Sequence, residues 1–267
     1  MSGKFIPGEA EWVNSHYYDV PRETVEFCGA LTGKSALNLG CGEMLTDFGL
    51  VNQGIKHVTG LDLDDRHPDH LQSVIQKLQR HGIKPPRDYA SRIQYHHYDG
   101  TSFPFPDGAF EFVFSWSAFE HVRDVPAVLA EIRRVLRDDG FAFLQVYPWF
   151  HCRVGSHLAD FIDEPFFHLT RSAEWIRDRL ERYVAAHPES RELILGHVYP
   201  QYLALNGYSA NRFFRDVVKA GFRVRKAKVI SFDSDLSRAP ADADFSDLMI
   251  WGTKMLIDKS DEQATGE

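Results

Sequence analysis

The residues best placed for chemistry sit at two glycines one residue apart, in Ala36-Leu37-Asn38-Leu39-Gly40-Cys41-Gly42-Glu43. A short apolar strand pattern, Ser35–Leu39, runs straight into them, and a short helix pattern, Leu45–Asn52, follows. Glycine there permits a tight turn and lets a ligand approach the backbone. Taken alone, such a turn is weak evidence. The next strand pattern, His57–Leu63, delivers Asp62 about 20 residues after the turn, where a carboxylate accepts hydrogen bonds from both ribose hydroxyls of an adenosine cofactor. Asp64 and Asp65 have no such placement and are expected in solvent. Two cofactors fit this pair, a nicotinamide dinucleotide and S-adenosylmethionine. A dinucleotide needs a third glycine three residues after the second, and Leu45 stands there. Glu43 places negative charge at the helix N-terminus, where a pyrophosphate would sit. A cofactor with an amine and no phosphate tolerates that carboxylate, so S-adenosylmethionine is preferred.

A second group of candidates lies further along. Glu120-His121 follows the strand pattern Phe110–Ser115 at its carboxyl end, the end that faces ligands in a parallel sheet. A neutral imidazole there suits a general base near pH 7, and it equally suits packing and hydrogen bonding within its loop. Residues 148–208 interleave aromatics with histidines in Tyr147-Pro148-Trp149-Phe150-His151, Gly155-Ser156-His157-Leu158 and Glu164-Pro165-Phe166-Phe167-His168-Leu169. Flat apolar walls with a few polar groups suit an acceptor pocket. His151, His157 and His168, with Asp160 or Asp163, have the chemistry of metal ligands, but their spacing matches no metal motif. Pocket histidines without metal are the preferred reading, with Phe166 and Phe167 packed in a core. Trp12–Tyr18 reads as a lid over the cofactor or as an amphipathic helix packed on the insertion.

The elements that must position these residues alternate strand and helix. Asp69–Arg80 is a predicted helix, Ile83–Ser91 a loop, and Arg92–Tyr98 a strand. Asp124 caps a helix with Pro126 in its first turn and Gly140 at its end, and the strand Phe141–Val146 follows. Such βα units imply a parallel sheet wrapped by helices. After Pro148 the rhythm breaks, apart from a helix over Ser172–Ala186 with Ile176, Leu180, Tyr183 and Val184 on its apolar face. Regularity returns with the helix Ser209–Ala220 and the strands Phe222–Ile230 and Leu248–Met255, which should pair antiparallel because no helix joins them. The expected organisation is one domain over residues 1–257 with a lid-like insertion at 148–208 and a frayed tail at 258–267.

Composition sets outer limits. The 267 residues are 43% hydrophobic and 25% charged, which excludes disorder for most of the chain. No apolar run nears the roughly 18 residues of a membrane span. The N-terminus lacks the basic and apolar regions of a secretory signal. A net charge of −8 disfavours non-specific nucleic-acid binding. The 3 cysteines, Cys28, Cys41 and Cys152, form no CxxC, so reduced thiols and a cytoplasmic location are expected.

With these residues in view, the chain resembles the class I S-adenosylmethionine-dependent methyltransferases, of the small-molecule type that includes the ubiquinone-biosynthesis methyltransferases. The stretches ALNLGCGE, VTGLDLDD, YDGTSFPFPDGAFEFVFS, AFEHVRDVPAVLAEIRRVLRDDGFAFL and GFRVRKAKV with LMIWGTKM carry the resemblance, over residues 35–147 and 209–255. It implies a doubly wound α/β fold, a mostly parallel seven-stranded sheet with an antiparallel last strand. It also matches Asp99 to the acid that meets the adenine amino group. The implied cofactor-binding set is Asn38, Gly40, Cys41, Gly42, Asp62, Leu63, Asp99, Gly100 and Ser115. Three departures stand out: Asn38 replaces the usual acid, Met44 the third glycine, and Arg137-Asp138-Asp139-Gly140 the common Lys-Pro-Gly-Gly.

Methyl transfer from a sulfonium is an in-line displacement that needs an aligned nucleophile and, for a hydroxyl, a proton acceptor. The catalytic candidates are His121, His157 and His168. The expected reaction is methylation of a hydroxyl on a metabolite or sugar-like small molecule, with no metal, no nucleic acid and no membrane partner, and a homodimer as an admissible assembly. Competing expectations are a cofactor-binding protein without transferase activity, and a protein or RNA methyltransferase.

Overall fold

The computed structural model describes residues 7–65 and 70–259. Helix α1 (Glu9–Asn14), a π-helical turn (Ser15–Asp19) and α2 (Val20–Cys28) precede β1 (Ser35–Leu39). There follow α3 (Leu45–Asn52), β2 (His57–Asp62), α4 (His70–Arg80), α5 (Tyr89–Arg92), β3 (Ile93–His97) and β4 (Phe110–Trp116). Helix α6 (Val125–Val135) leads into β5 (Leu136–Val146). The insertion holds α7 (Phe167–Thr170), α8 (Ala173–Ala186), a π-helical segment (Glu192–Val198) and α9 (Tyr199–Leu203). The chain closes with α10 (Ala210–Lys219), β6 (Phe222–Ile230), α11 (Phe245–Met249) and β7 (Gly252–Lys259).

The strands form one sheet in the order β3-β2-β1-β4-β5-β7-β6. Pairing is parallel from β3 to β5, while β7 runs antiparallel to both β5 and β6. The order reverses between β1 and β4, so the crevice where such sheets bind ligands opens at the carboxyl ends of those strands. Strand alternation sends neighbouring side chains to opposite faces. Leu37 and Leu39 therefore join a core with α6 and α10, whereas Ala36 joins one with the N-terminal helices, α3 and α4. Insertion residues Leu158, Phe167, Ile176, Leu180, Ile194 and Val198 pack into a smaller core of their own.

Several expected boundaries move, each for a physical reason. Helix α6 is capped by the Asp124 carboxylate, which accepts from Ala127 N, but it ends at Val135 rather than at Gly140. Residues 136–140 are drawn into β5, where Leu136 pairs with Phe110 across a register shift. The last strand starts at Gly252 instead of Leu248, because Asp244 accepts from Ser246 N and Asp247 N and caps α11 over the apolar run read as strand. A short helix thus does join β6 to β7, and the two remain antiparallel. Asp258 and Lys259 belong to β7, so they are not part of a frayed tail, and residues 260–267 lie outside the described residues. Asp69, expected to open α4, also lies outside them. Part of the expected loop before β3 is helical, at Tyr89–Arg92.

Trp12–Tyr18 packs on α3. Val13, Tyr17 and Val20 share a core with Met44, Leu45 and Phe48. A Cβ on Gly49 would lie 2.3 Å from the Tyr17 carbonyl oxygen, so glycine is what lets these helices approach.

Candidate functional site

The turn after β1 is held from β2. The Leu61 carbonyl accepts from Gly40 N at 2.8 Å and from Cys41 N at 3.3 Å. Both carboxylate oxygens of Asp62 are engaged, one by Gly42 N and the other by Leu63 N, each at 2.8 Å. Asp62 therefore builds the turn as well as facing the crevice. Its oxygens keep further lone pairs for ribose hydroxyls. Gly40 has φ +72°, and a Cβ there would meet Ala118 Cβ at 2.3 Å, so the turn after β1 is pressed against the segment after β4. Nothing lies within 4 Å of where a Gly42 Cβ would point, which leaves the crevice side of the turn open. Met44, in the place of a third glycine, keeps the left-handed conformation at φ +63° with its side chain fully buried.

Strand alternation also explains Asn38. It faces α3, where its Nδ2 donates to Asp47 Oδ2 at 2.9 Å. Asp47 is completely buried and its Oδ1 has no hydrogen-bond partner among the described residues. Burial pushes its carboxyl up to about 8, opposed by the Asn38 bond. Glu43 is paired with Lys77 at 2.8 Å, which offsets the negative charge that weighed against a pyrophosphate.

The side expected to meet adenine is assembled by β2 and β3. Tyr98 N donates to the Asp62 carbonyl, and a Cβ on Gly100, at φ +91°, would lie 3.3 Å from Leu63 Cδ2. Asp99 Oδ1 accepts from Thr101 N and Oγ1 at 2.8 Å and from Ser102 N at 2.9 Å. These bonds hold the carboxyl at about 2, ionised at any physiological pH. Gly40, Gly42, Asp62, Leu63, Asp99 and Gly100 thus lie together at the strand ends. The side chains of three other predicted residues are committed elsewhere, Asn38 to Asp47 as above. Cys41 Sγ packs at Gly60, and the buried Ser115 hydroxyl donates to the Leu39 carbonyl. The donor set fits an adenosine-bearing cofactor without phosphates: two carboxylates for hydroxyl and amino groups, an open glycine turn, and no lysine or arginine among the converging residues.

Next to the turn, β4 continues through Ser117 into a tight helical turn, Phe119–His121. Asn206, from the end of the insertion, clamps it. Its Nδ2 donates to the Phe119 and Val122 carbonyls at 2.7 and 2.8 Å, and its backbone N to the Glu120 carbonyl at 2.9 Å. A small cavity of about 10 Å³ lies there, lined in part by Glu120, His121, Gly155, Ser156, His157, Gln201 and Tyr202. That is the space of about one water. Pro148, Val198 and Leu205 supply apolar wall. Burial and the nearby His157 drive the His121 imidazole down to about 4, so it is neutral at pH 7. Burial also lowers His157, against the opposing pull of Asp160.

His168 is placed differently. Its ring packs on Gly155, Phe150 and Phe167, behind the wall that Gly155 gives the cavity and not in the lining itself. Neither ring nitrogen makes a hydrogen bond of normal geometry, although backbone of Phe150 and Cys152 offers some polar contact, and burial lowers the ring to about 4. His151 bonds the Gly207 carbonyl at 3.2 Å. Among the described residues no three His, Cys, Asp or Glu side chains converge as a metal site. Three functional candidates escape a reading of the sequence: Asp47, Glu120 as a side chain, and Asn206. For Asp47 the signal was a carboxylate in the apolar face of a helix; Asn206 left none.

A family model described as a methyltransferase domain matches residues 37–144. A sterol 24-C-methyltransferase, ERG6B of Gibberella zeae, is 30% identical over 122 residues, covering 45% of this chain and 29% of the relative. The chain thus spans about three tenths of the length of that relative. Among solved structures, an S-adenosylmethionine-dependent methyltransferase from Mesorhizobium loti superposes with TM-score 0.53 at 16% identity, over 93% of this chain and 97% of that one. Geranyl diphosphate methyltransferase in complex with SAM superposes with TM-score 0.54 at 12% identity, over 91% of this chain and 85% of that one. No described helix is long and apolar enough to cross a membrane. Over residues 37–144 the chain thus matches a methyltransferase domain, its sheet order and antiparallel last strand give it the fold of these S-adenosylmethionine-dependent methyltransferases, and the cofactor these likenesses indicate is S-adenosylmethionine.

Proposed function

We propose that this protein transfers the methyl group of S-adenosylmethionine to a hydroxyl of a small, metabolite-like acceptor held beside His121. One observation carries the reading: Gly40 packs directly on Ala118, so the cofactor turn and the Glu120–His121 turn share one wall. The cofactor supplies an electrophilic methyl group on sulfur. Asp62 and Asp99 hold the adenosine, and the glycine turn leaves room for the methionine end. The acceptor hydroxyl loses its proton to the neutral His121 imidazole as its oxygen attacks the methyl carbon. The walls of the insertion exclude water that would compete for the methyl group.

The likeness to a sterol 24-C-methyltransferase favours a carbon acceptor as the second reading. A single experiment separates the two. S-adenosylmethionine with a deuterated methyl group is incubated with the protein and a metabolite extract, and the position of the label in the product is read by mass spectrometry. Label on a small-molecule oxygen supports the proposal, and label on carbon supports the second reading. Label only in protein or RNA, or no label with cofactor bound, refutes both. His121→Ala should slow transfer to oxygen at least 100-fold, the lower range for a positioned general base, with S-adenosylhomocysteine affinity intact. Unchanged turnover would remove His121 from the reaction.

A further inference from the structure

The Glu120 side chain is unexplained by the fold. Its residue is buried, and Oε2 is sealed from solvent with no hydrogen-bond partner among the described residues. The backbone already does this position's structural work, because the Glu120 carbonyl takes the Asn206 bond. An unpartnered buried carboxyl costs stability, so a fold alone would favour an apolar residue or a paired one. Here it lines the cavity beside His121 and His157.

That lining carries no fixed positive charge. Glu120 is its one acidic residue, protonated near pH 7 because burial raises it to about 8, and no lysine or arginine contributes; a cation placed beside it would draw off its proton and be held by the carboxylate. Burial keeps both histidines in their neutral form. An anion entering this space would meet no fixed positive charge and would lose its hydration uncompensated. A neutral molecule with a hydroxyl, or an ammonium group, would instead give Glu120 the hydrogen-bond donor it lacks.

We propose that Glu120 selects the acceptor by charge: the acceptor is neutral or cationic, it presents a hydroxyl or ammonium donor to the Glu120 carboxyl, and anionic groups are kept out of the cavity. The inference deepens the reading of this cavity as the acceptor site and rests on it. Because the cavity holds about one water, an acceptor larger than that would have to displace part of its lining, of which Val198, Gln201, Tyr202 and Leu205 come from the insertion.

The test uses three probes of matched size, catechol, benzylamine and benzoate, titrated in the presence of S-adenosylhomocysteine. Binding is read as a saturable shift of the His121 imidazole resonances. Catechol and benzylamine should shift them, and benzoate should not. Glu120→Gln should weaken benzylamine at least tenfold while S-adenosylhomocysteine affinity holds and the melting temperature does not fall. Glu120→Ala serves as a second variant if the first misfolds, with the same loss expected. A shift by benzoate as strong as that by benzylamine overturns the proposal. So does the absence of any shift with catechol and benzylamine, or an unchanged benzylamine affinity in folded variants. Label transfer is scored separately. Transfer without this selectivity refutes the charge inference alone, and selectivity without transfer refutes the transferase reading alone.

Discussion

Replacing Asp62 by alanine tests the cofactor placement most directly, because its carboxylate has two jobs with separable consequences. In the free protein it accepts from Gly42 N and Leu63 N, each at 2.8 Å. Removing it leaves both amides to water, and since the turn is only partly buried the cost falls near about 1 kcal/mol. In the complex it should also take the ribose hydroxyls, and hydrogen bonds to a charged acceptor are worth about 1.5–3 kcal/mol. Asp62→Ala should therefore weaken S-adenosylhomocysteine by about 10- to 150-fold, measured by isothermal titration, with a melting temperature only slightly reduced. Asp62→Asn separates the two jobs. It keeps one acceptor oxygen for Gly42 N, and its amide cannot accept a second hydroxyl. If turn geometry alone mattered, asparagine would restore binding; if ribose recognition matters, it stays weak. A folded Asp62→Ala protein that binds S-adenosylhomocysteine within twofold of the parent would refute the placement.

Two further predictions concern buried polar groups. The Asp47 carboxyl, raised from 3.8 to about 8 by burial, keeps a proton in the folded state that the unfolded chain gives up. A raised folded value means stability is full below about pH 4 and is lost as pH rises toward 8. Asp47→Asn should remove part of that loss, gaining on the order of 3 kcal/mol over the parent at pH 8 and little at pH 4. Thermal melts across pH check this, and a parallel pH profile for the two proteins would contradict it. Asn206→Ala removes two side-chain bonds to the Phe119 and Val122 carbonyls. It should cost about 1–3 kcal/mol and speed amide exchange at 119–122 and 199–206, with S-adenosylhomocysteine affinity unchanged. Unaltered exchange there would show that the clamp does not hold the turn.

The cofactor half is legible in the sequence because its geometry is local. A strand, two glycines, a helix and a strand ending in Asp62 lie within 28 residues, from Ser35 to Asp62, and each contact along the turn joins neighbours in the sheet. Where local signals compete, the reading slips. Gly140 looks like a helix stop, yet pairing of β5 with β4 and β7 draws residues 136–140 into the strand. Leu248-Met249-Ile250-Trp251 looks like a strand, yet the Asp244 cap turns its start into a helix. Asn38 is readable as a departure from the usual acid, but its answer, the Asp47 carboxylate nine residues on, needs the strand's facing toward α3 before it can be seen.

The acceptor side is illegible for a different reason: its walls come from β4's exit, the start of the insertion and its end. Asn206 reaches Phe119 and Val122 across more than 80 positions, with no motif to announce it. What the two halves share is a physical anomaly. Asp47 lies beneath the glycine turn and Glu120 lines the cavity beyond Ala118, and each is a buried carboxyl with one oxygen left without a hydrogen-bond partner among the described residues. Burial raises both to about 8, so both weaken the fold as pH rises. A chain shaped for stability alone would replace them, since either leaves a polar atom dry. Local conflicts of this kind concentrate where a protein works. Two of them lie on either side of the packing of Gly40 against Ala118, where the proposed transfer would bring cofactor and acceptor together.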